Sequence, residues 1–175
     1  LVKYLVKFFV VTFLLLISTH TLADQKIVVL DMKYVLNNSS AGKGAQDFLK
    51  KSINDNQKKF SEIENNLKKE EKDLLTKKTV LSKEEYTKKT DTLRKKVIDF
   101  QSQRRSAIDK IATQRAQARE ELMKKMTPII DTYITENKIS LVMDKKNMVG
   151  GLKEYDITKI IIEKLNKELP SLNLK

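Results

Sequence analysis

The sequence is poor in the residues on which many enzymes and compact folds depend. Its 175 residues contain no cysteine, no tryptophan, four glycines, two prolines and one histidine. The absence of cysteine excludes disulfides, thiolate zinc sites, iron–sulfur ligation and a cysteine nucleophile. So few glycines and prolines also disfavour a sandwich or barrel, which needs many tight turns. We therefore expect neither a disulfide-stabilised fold nor a turn-rich β fold.

Charged residues, by contrast, are abundant and unbalanced. They make up 33% of the chain, and 35 lysines and arginines against 23 acidic residues give a formal net charge of +12. Only 40% of the residues are apolar. Lys, Glu, Asp and Gln dominate the middle of the chain, a composition typical of a long exposed helix rather than a compact sphere.

The first 23 residues have the pattern of a secretory signal peptide. Lys3 and Lys7 precede an apolar run at 8–17, and a polar stretch ending at Ala23 follows. This order predicts a signal peptide over 1–23, cleaved after Ala23, and export to the periplasm. The alternative is a membrane anchor, but ten helical residues rise only about 15 Å against a hydrocarbon core of about 30 Å.

Cleavage would also remove the only histidine, His20. The mature chain would then lack both His and Cys, which excludes Ser–His and Cys–His nucleophiles and His-ligated metals. Without Lys3 and Lys7, 33 basic and 23 acidic residues leave a charge of +10. A basic, cysteine-free secreted chain suits a bacterial periplasm. We predict that the protein is not an enzyme and that it has no cofactor and no metal.

The two ends of the mature chain predict a small β/α body, formed by residues 24–44 and 134–175. Strand signals occur at 26–31, at 139–144 and, more weakly, at 148–151. Asp156 is a candidate cap for a final amphipathic helix. Such a small sheet, apolar on both faces, needs further cover, so we expect oligomerisation.

The polar stretch at 37–44 is expected to be a loop. It contains Gly42-Lys43-Gly44, but Asn37 stands where a phosphate-binding loop requires glycine, and no Ser or Thr follows the lysine. The segment does not predict nucleotide binding.

Residues 45–133 predict a long antiparallel helical hairpin with its tip near 80–83. Apolar residues recur at alternating spacings of four and three, which is a heptad pattern. Ser82 and Glu85 form a capping box that starts the second helix, and Pro128 indicates a kink or a fresh helix start capped by Thr127. The predicted seam positions are Leu49, Ile53, Asn56, Phe60, Ile63, Leu67, Glu70 and Leu74, followed by Tyr86, Thr90, Leu93, Val97, Phe100, Arg104, Ala107, Ile111, Gln114, Ala118 and Leu122.

Four polar residues interrupt this seam: Asn56, Glu70, Arg104 and Gln114. Two interpretations stay open. The polar residues set the register of an ordinary coiled coil, or they belong to an arm that bends and leaves its apolar side chains partly uncovered. The predicted fold class is α+β, mostly α, with the hairpin as a coiled-coil arm inserted into a small β-sheet oligomerisation body.

The chain resembles the Skp/OmpH family of periplasmic chaperones over nearly its whole mature length. The resemblance rests on the order of several segments: strand 27–31 with 34–36, the Lys/Glu/Gln hairpin, Pro128-Ile129, strand 141–144, and the ending 156–158 with 165–166. It implies a homotrimer whose arms enclose a cavity for unfolded outer-membrane proteins. The trimer body would use Ile27, Val29, Leu141 and Met143.

The implied function is an ATP-independent holdase chaperone that prevents aggregation of its clients. Between residues 45 and 135 the chain has 22 basic and 15 acidic residues, and this surplus of seven would attract acidic unfolded chains. A solvated helix face is the other interpretation of the basic clusters. Candidate client contacts are Arg94, Lys95, Lys96, Arg104, Arg105, Phe60 and Phe100.

Other functions of a basic helical protein also remain open. One is binding to lipopolysaccharide or to an anionic membrane surface. Another is nucleic-acid binding, although the secretory signal and the lack of an aromatic stacking platform argue against it. We therefore expect no nucleic-acid partner.

Overall fold

The computed structural model describes residues 25–174 and Lys3. Apart from Lys3, the predicted signal peptide lies outside the described residues. Strand β1 spans Lys26–Leu30 and strand β2 spans Ile139–Asp144. The helices are α1 (Met32–Asn38), α2 (Ser40–Thr76), α3 (Lys83–Glu136) and α4 (Thr158–Glu168), with short 3-10 turns at Lys145–Asn147 and Lys153–Tyr155. This arrangement confirms the predicted fold class of long helices with a small sheet.

Helices α2 and α3 form the hairpin. With 37 and 54 residues they are about 56 Å and 81 Å long at 1.5 Å per residue. The chain reverses at 77–82, and the predicted capping box starts α3. The Glu85 backbone N–H donates to Ser82 Oγ over 3.2 Å, and the Ser82 backbone N–H donates to Glu85 Oε2 over 3.1 Å.

The predicted seam follows the pattern of burial along the hairpin. Nearly every seam position is buried or half-buried, whereas most positions between them are exposed. Ile53, Glu70 and Arg104 are the exposed exceptions. Burial is deepest near the body, at Leu49, Ala118 and Leu122, and most seam side chains nearer the turn remain half-exposed. The heptad spacing therefore identified which face of each helix packs.

The body consists of β1, β2, α1 and α4, closed by the last turns of α3. Its two strands pair in parallel, with Ile27 opposite Leu141 and Val29 opposite Met143. The core beneath the sheet is apolar and largely inaccessible to solvent. Its buried members are Val28, Leu30, Val35, Ala41, Leu122, Met126, Ile129, Ile139, Ile157, Ile161 and Leu165.

The third strand predicted at 148–151 is wrong, because the sheet has two strands in the described part of the chain. A 3-10 turn follows β2, and 148–152 then runs without helix or strand structure. Gly150 and Gly151 have poor strand propensity. On the other edge of β1, Val29 forms a single bridge with Asp156 instead.

The loop predicted at 37–44 is also wrong, because α1 continues to Asn38 and α2 begins at Ser40. Ser39 alone separates the two helices, and its Oγ accepts from the Gly42 backbone N–H over 3.2 Å. The Ser40 N–H donates to Asn166 Oδ1 of α4 over 2.7 Å. A Cβ at Gly42 would collide with the Leu36 carbonyl, so glycine is required here by close packing.

Two predicted helix starts also need correction. Helix α3 passes through Pro128 without a new start, and Thr127 Oγ1 donates to the Met123 carbonyl rather than capping a helix. Burial of Met126 and Ile129 on either side of the proline holds the helix against the core. Asp156 was predicted to cap the final helix, but α4 begins at Thr158 and Ile157 is its N-cap residue. Asp156 Oδ1 still accepts from the Thr158 backbone N–H over 3.0 Å.

Candidate functional site

The aromatic candidates Phe60 and Phe100 meet between the two helices of the hairpin. Their ring centroids are 6.0 Å apart at an interplanar angle of 69°, an edge-to-face pair. Phe60 is only 9% exposed, and Phe100 is half-buried. Lys59 Nζ lies 5.5 Å from the Phe60 ring centroid. The pair therefore stabilises the middle of the hairpin, and Phe100 is the more accessible of the two rings.

The cationic candidates differ in whether an acidic partner lies beside them. Arg94 pairs with Asp91 over 3.2 Å, and Lys96 Nζ reaches across the hairpin to Glu70 Oε2 at 2.6 Å. The exposed Lys95 has no ion pair within residues 25–174.

Arg104 and Arg105 lie about two helical turns beyond this group. Both are exposed and, within the described ranges, neither has a carboxylate at salt-bridge distance. The hydrogen bond from Lys68 and its charge lower the pKa of Glu64, and Arg104 adds a smaller effect in the same direction. Lys95 and Arg105 are thus the candidates whose charge is least neutralised.

Shallow grooves follow the line along which α2 and α3 pack. One of about 600 Å³ is lined by Ile53, Phe60, Phe100, Arg104 and Ile108, which brings three candidates together. Another of about 550 Å³ lies nearer the tip, between Leu67 and Leu93. The hairpin seam is therefore incompletely filled, and apolar atoms remain accessible along it.

A further groove, which we call the root groove, lies where the hairpin joins the body. It has a volume of about 610 Å³ and lies between α1, α2 and α3. Buried Leu49 and Leu122 contribute to its floor, while exposed Arg115 and Arg119 lie on its rim. None of these four residues was a predicted client contact, although Leu49 and Leu122 were predicted seam positions. The sequence feature that could have indicated this groove is the pair Arg115 and Arg119, spaced i, i+4 beside predicted seam positions.

The candidates for subunit contact lie on the small sheet. Ile27, Leu141 and Met143 are exposed, Leu141 at 52%, and we call these three the apolar sheet face. Val29 differs, because it is 7% exposed in the single chain and its carbonyl accepts from the Ile157 backbone N–H over 2.9 Å. Strand β2 pairs with β1 along one edge. Its other edge has no strand partner in the described residues.

Lys145 and Asp156 link the end of β2 to the start of α4. Their side chains form an ion pair of 2.7 Å. Burial of Asp156 opposes its ionisation, but hydrogen bonds from Lys145 and Thr158 outweigh it and lower the pKa of the carboxyl. The same pair raises the pKa of Lys145. Asp156 was predicted only as a helix cap, and no role was predicted for Lys145.

Among the described residues, no helix is both long enough and apolar enough to cross a bilayer. No three acidic or histidine side chains within 25–174 are grouped as metal ligands.

Both the sequence and the fold of the chain are similar to those of known proteins. The chain is similar to the "Skp-like protein" of Pseudomonas aeruginosa, with 24% identity over 165 residues that cover 92% of this chain and 96% of that protein. Its fold matches the crystal structure of an OmpH-like protein from Caulobacter crescentus CB15, with a TM-score of 0.78, 19% identity and coverage of 89% and 92%. Residues 26–165 match the family described as "Outer membrane protein (OmpH-like)". Since that match spans most of the chain, the protein belongs to the OmpH-like family.

Proposed function

We propose that the protein is an ATP-independent holdase chaperone of the periplasm, exported by a signal peptide that is cleaved after Ala23. It would bind unfolded outer-membrane proteins between helical arms and prevent their aggregation. Similarity to the OmpH-like protein of Caulobacter crescentus, which is described as an outer membrane chaperone, supports this proposal. Binding without nucleotide hydrolysis must be weak at each contact and distributed over many.

The observation that carries this proposal is the incompletely filled seam of the hairpin. Leu67, Leu93 and Val97 line one groove while remaining half-exposed. Such side chains offer shallow apolar contacts to an unfolded chain without requiring a defined sequence. The basic surplus of seven over residues 45–135 surrounds these contacts and would draw acidic chains towards them.

The direct test mixes purified mature protein with a urea-unfolded outer-membrane β-barrel and follows light scattering after dilution, without ATP. We expect the scattering of the client to be suppressed at stoichiometric amounts of chaperone. Aggregation that proceeds as fast as in buffer alone would reject holdase activity. A natively folded β-barrel in detergent serves as the control client, because it exposes no unfolded chain.

Self-association into a homotrimer is the second part of the proposal. The apolar sheet face and the open edge of β2 both leave apolar or hydrogen-bonding groups uncovered in one chain. Leu141→Asp should convert a trimer to monomers, because burying an unpaired charge costs several kcal/mol. Ile98→Asp is the matched control, since Ile98 is also exposed but lies on the hairpin.

Sedimentation equilibrium checks that assignment. A trimeric wild type and trimeric Ile98→Asp, with a monomeric Leu141→Asp, would support it, while a stable wild-type monomer would reject it. Val29→Asp is a poorer test, because Val29 is already buried within the chain and the substitution would disturb folding directly.

Charge attraction has its own test at Lys95 and Arg105, which lack ion pairs within the described part of the chain. Reversing both to Glu should slow association with an acidic client at low salt and have little effect above about 0.5 M salt, where screening is strong. Lys33→Glu with Lys153→Glu removes equal charge from the body. Equal rates for both variants at low salt would show that the surplus on the hairpin does not steer clients.

Binding to an anionic membrane surface is a second candidate, favoured by the hairpin tip. Val80 is 77% exposed there, and Leu75 is exposed close by. Lys77, Lys78 and Lys83 flank them. Co-sedimentation with anionic vesicles that is lost in Val80→Ser would support this function, whereas equal recovery with zwitterionic vesicles would reject it.

A further inference from the structure

We propose that the root groove binds a two-residue segment of an unfolded polypeptide, in which an apolar residue is followed by an aspartate or glutamate. This inference rests on the proposed holdase function and names the sequence type that one of its contact sites prefers. The apolar side chain occupies the floor of the groove, and the carboxylate is held by Arg115 and Arg119 on its rim.

The floor of the groove suits a single large apolar side chain. Ala45, Leu49, Ala118 and Leu122 line it and are each at most 6% exposed. Alanine at two of these positions leaves room between α2 and α3. Leu36 and Asn37 line the end towards α1. Ala45 and Leu49 are four residues apart, as are Ala118 and Leu122, so this floor extends only about 6 Å along each helix. That length suits one side chain better than an extended acyl chain.

The other end of the groove opens beside Ile53, which is 40% exposed. Ile53 also lines the neighbouring groove that contains Phe60 and Phe100. A polypeptide docked at the root can therefore continue along the seam of the hairpin without leaving apolar surface.

The rim of the groove is strongly cationic. Lys50, Arg115 and Arg119 outweigh the single acid Asp47, which leaves a formal charge of +2. Arg115 and Arg119 are spaced i, i+4, so their side chains project from the same face of α3. Within residues 25–174 neither guanidinium has a carboxylate at salt-bridge distance. Each guanidinium can therefore bind a carboxylate through two parallel N–H···O hydrogen bonds.

The other grooves of the hairpin do not share this charge. Glu64 balances Arg104 in the groove around Phe60 and Phe100, and the groove between Leu67 and Leu93 also has two cations and two acids. A further groove near the tip is lined by four lysines and three acidic residues, and one of these lysines, Lys96, is already paired with Glu70. Charge complementarity therefore assigns an anionic partner to the root groove in particular.

The experiment measures binding of short fluorescent peptides to the full mature protein by anisotropy. The test peptide contains a central Phe-Asp step, and its matched partner contains Phe-Asn. We expect Arg115→Ala with Arg119→Ala to weaken binding of the Phe-Asp peptide at least tenfold and to abolish the preference over Phe-Asn. The control is Lys110→Ala with Lys124→Ala, which removes two positive charges from the same helix but outside the groove.

Three results would overturn the inference. They are equal affinity for the two peptides, equal weakening by the control pair, and displacement of the peptide by dodecyl phosphate at far lower concentrations than by unlabelled peptide. The last result would identify a lipid-like occupant. Ile53→Ser offers a separate check, because it should weaken the Phe-Asp peptide more than an Ala-Asp peptide.

The outcomes for the groove and for the holdase proposal can be told apart. If wild type fails to suppress aggregation yet prefers Phe-Asp through the two arginines, holdase function fails and the groove assignment stands. If aggregation is suppressed but the arginine pair has no effect on the peptides, the groove assignment fails alone. Circular dichroism of each variant confirms that the helices are intact before binding is compared.

Discussion

The body and the hairpin are built from the same chain but pack their apolar residues differently. In the body, Met126, Ile161 and Leu165 have no measurable exposure to solvent. Along the hairpin, Leu67, Leu93 and Val97 are only half-buried between two helices. The body therefore contributes most of the hydrophobic stabilisation, and the hairpin keeps apolar surface available. Two helices alone cannot surround a side chain, whereas a sheet with helices on it can.

The largest expected effect tests this contrast directly. Leu165→Ala should lower the free energy of unfolding by about 2–5 kcal/mol, because it removes a fully buried side chain and leaves a cavity. Leu67→Ala should lower it by about 1–2 kcal/mol, because only part of that side chain leaves water on folding. Urea denaturation followed by circular dichroism measures both. Equal losses would show that the hairpin is as well packed as the body.

Two glycines of α2 sharpen the comparison at the junction. Gly42→Ala should destabilise the protein by about 1–3 kcal/mol, because the added Cβ meets the Leu36 carbonyl in a closely packed site. Gly44→Ala has open space around its Cβ and should stabilise by about 0.5–1 kcal/mol through helix propensity. Thermal unfolding of the two variants measures the difference. A neutral Gly42→Ala would contradict the tight contact between α1 and α2.

The capping box at the hairpin tip should have a smaller and more local effect. Ser82→Ala removes the acceptor for the Glu85 N–H and should cost about 1 kcal/mol. Hydrogen exchange should accelerate in the first turn of α3 while the body stays protected. Ser102→Ala, at an exposed mid-helix position, is the control.

The tip should also respond to pH through the same box. Hydrogen bonds from Ser82 lower the pKa of Glu85 below its ordinary value. A carboxyl with a depressed pKa in the folded state stabilises that state above its unfolded pKa, and this stabilisation is lost as pH falls through the folded pKa. Exchange at the tip should therefore quicken on acidification. In Ser82→Ala this pH dependence should be reduced.

The smallest expected effect concerns the ion pair that crosses the hairpin. Glu70→Gln should reduce stability by about 0.2–1 kcal/mol at low salt, because Lys96 and Glu70 are both solvent-exposed. At high salt the difference should vanish. Glu71→Gln is the control, as it removes an exposed carboxylate without an ion pair within the described residues. An effect as large as that of Leu165→Ala would mean that charge, not burial, stabilises the hairpin.

Local patterns in the sequence predicted the hairpin well. Heptad spacing identified the packed face of both helices, and Ser82 with Glu85 identified the start of α3. Each of these patterns involves only residues within one or two helical turns of one another. It can therefore be recognised from one short stretch of sequence. Three predicted seam positions, Ile53, Glu70 and Arg104, are exposed instead. At Glu70 and Arg104 the reason is that a long charged side chain can leave a packed face for solvent.

Tertiary contacts explain the errors elsewhere. The segment 37–44 is rich in Asn, Ser and Gly, yet Gly42 is helical because α1 and α2 approach closely there and Asn166 of α4 accepts from the Ser40 N–H. No local pattern contains that partner. The root groove was missed for the same reason, since Arg115 and Leu36 come from distant segments.

The parallel pairing of β1 with β2 has a consequence for the order in which the chain folds. Lys26 Nζ donates to the Asn137 carbonyl across 111 residues of sequence. Closing so long a flexible loop is entropically costly, whereas α2 and α3 meet through a short turn. Folding of the hairpin first would bring the two strand segments together and shorten the effective loop. β1, which lies at the start of the described chain, therefore acquires its neighbour only after more than a hundred further residues have been made.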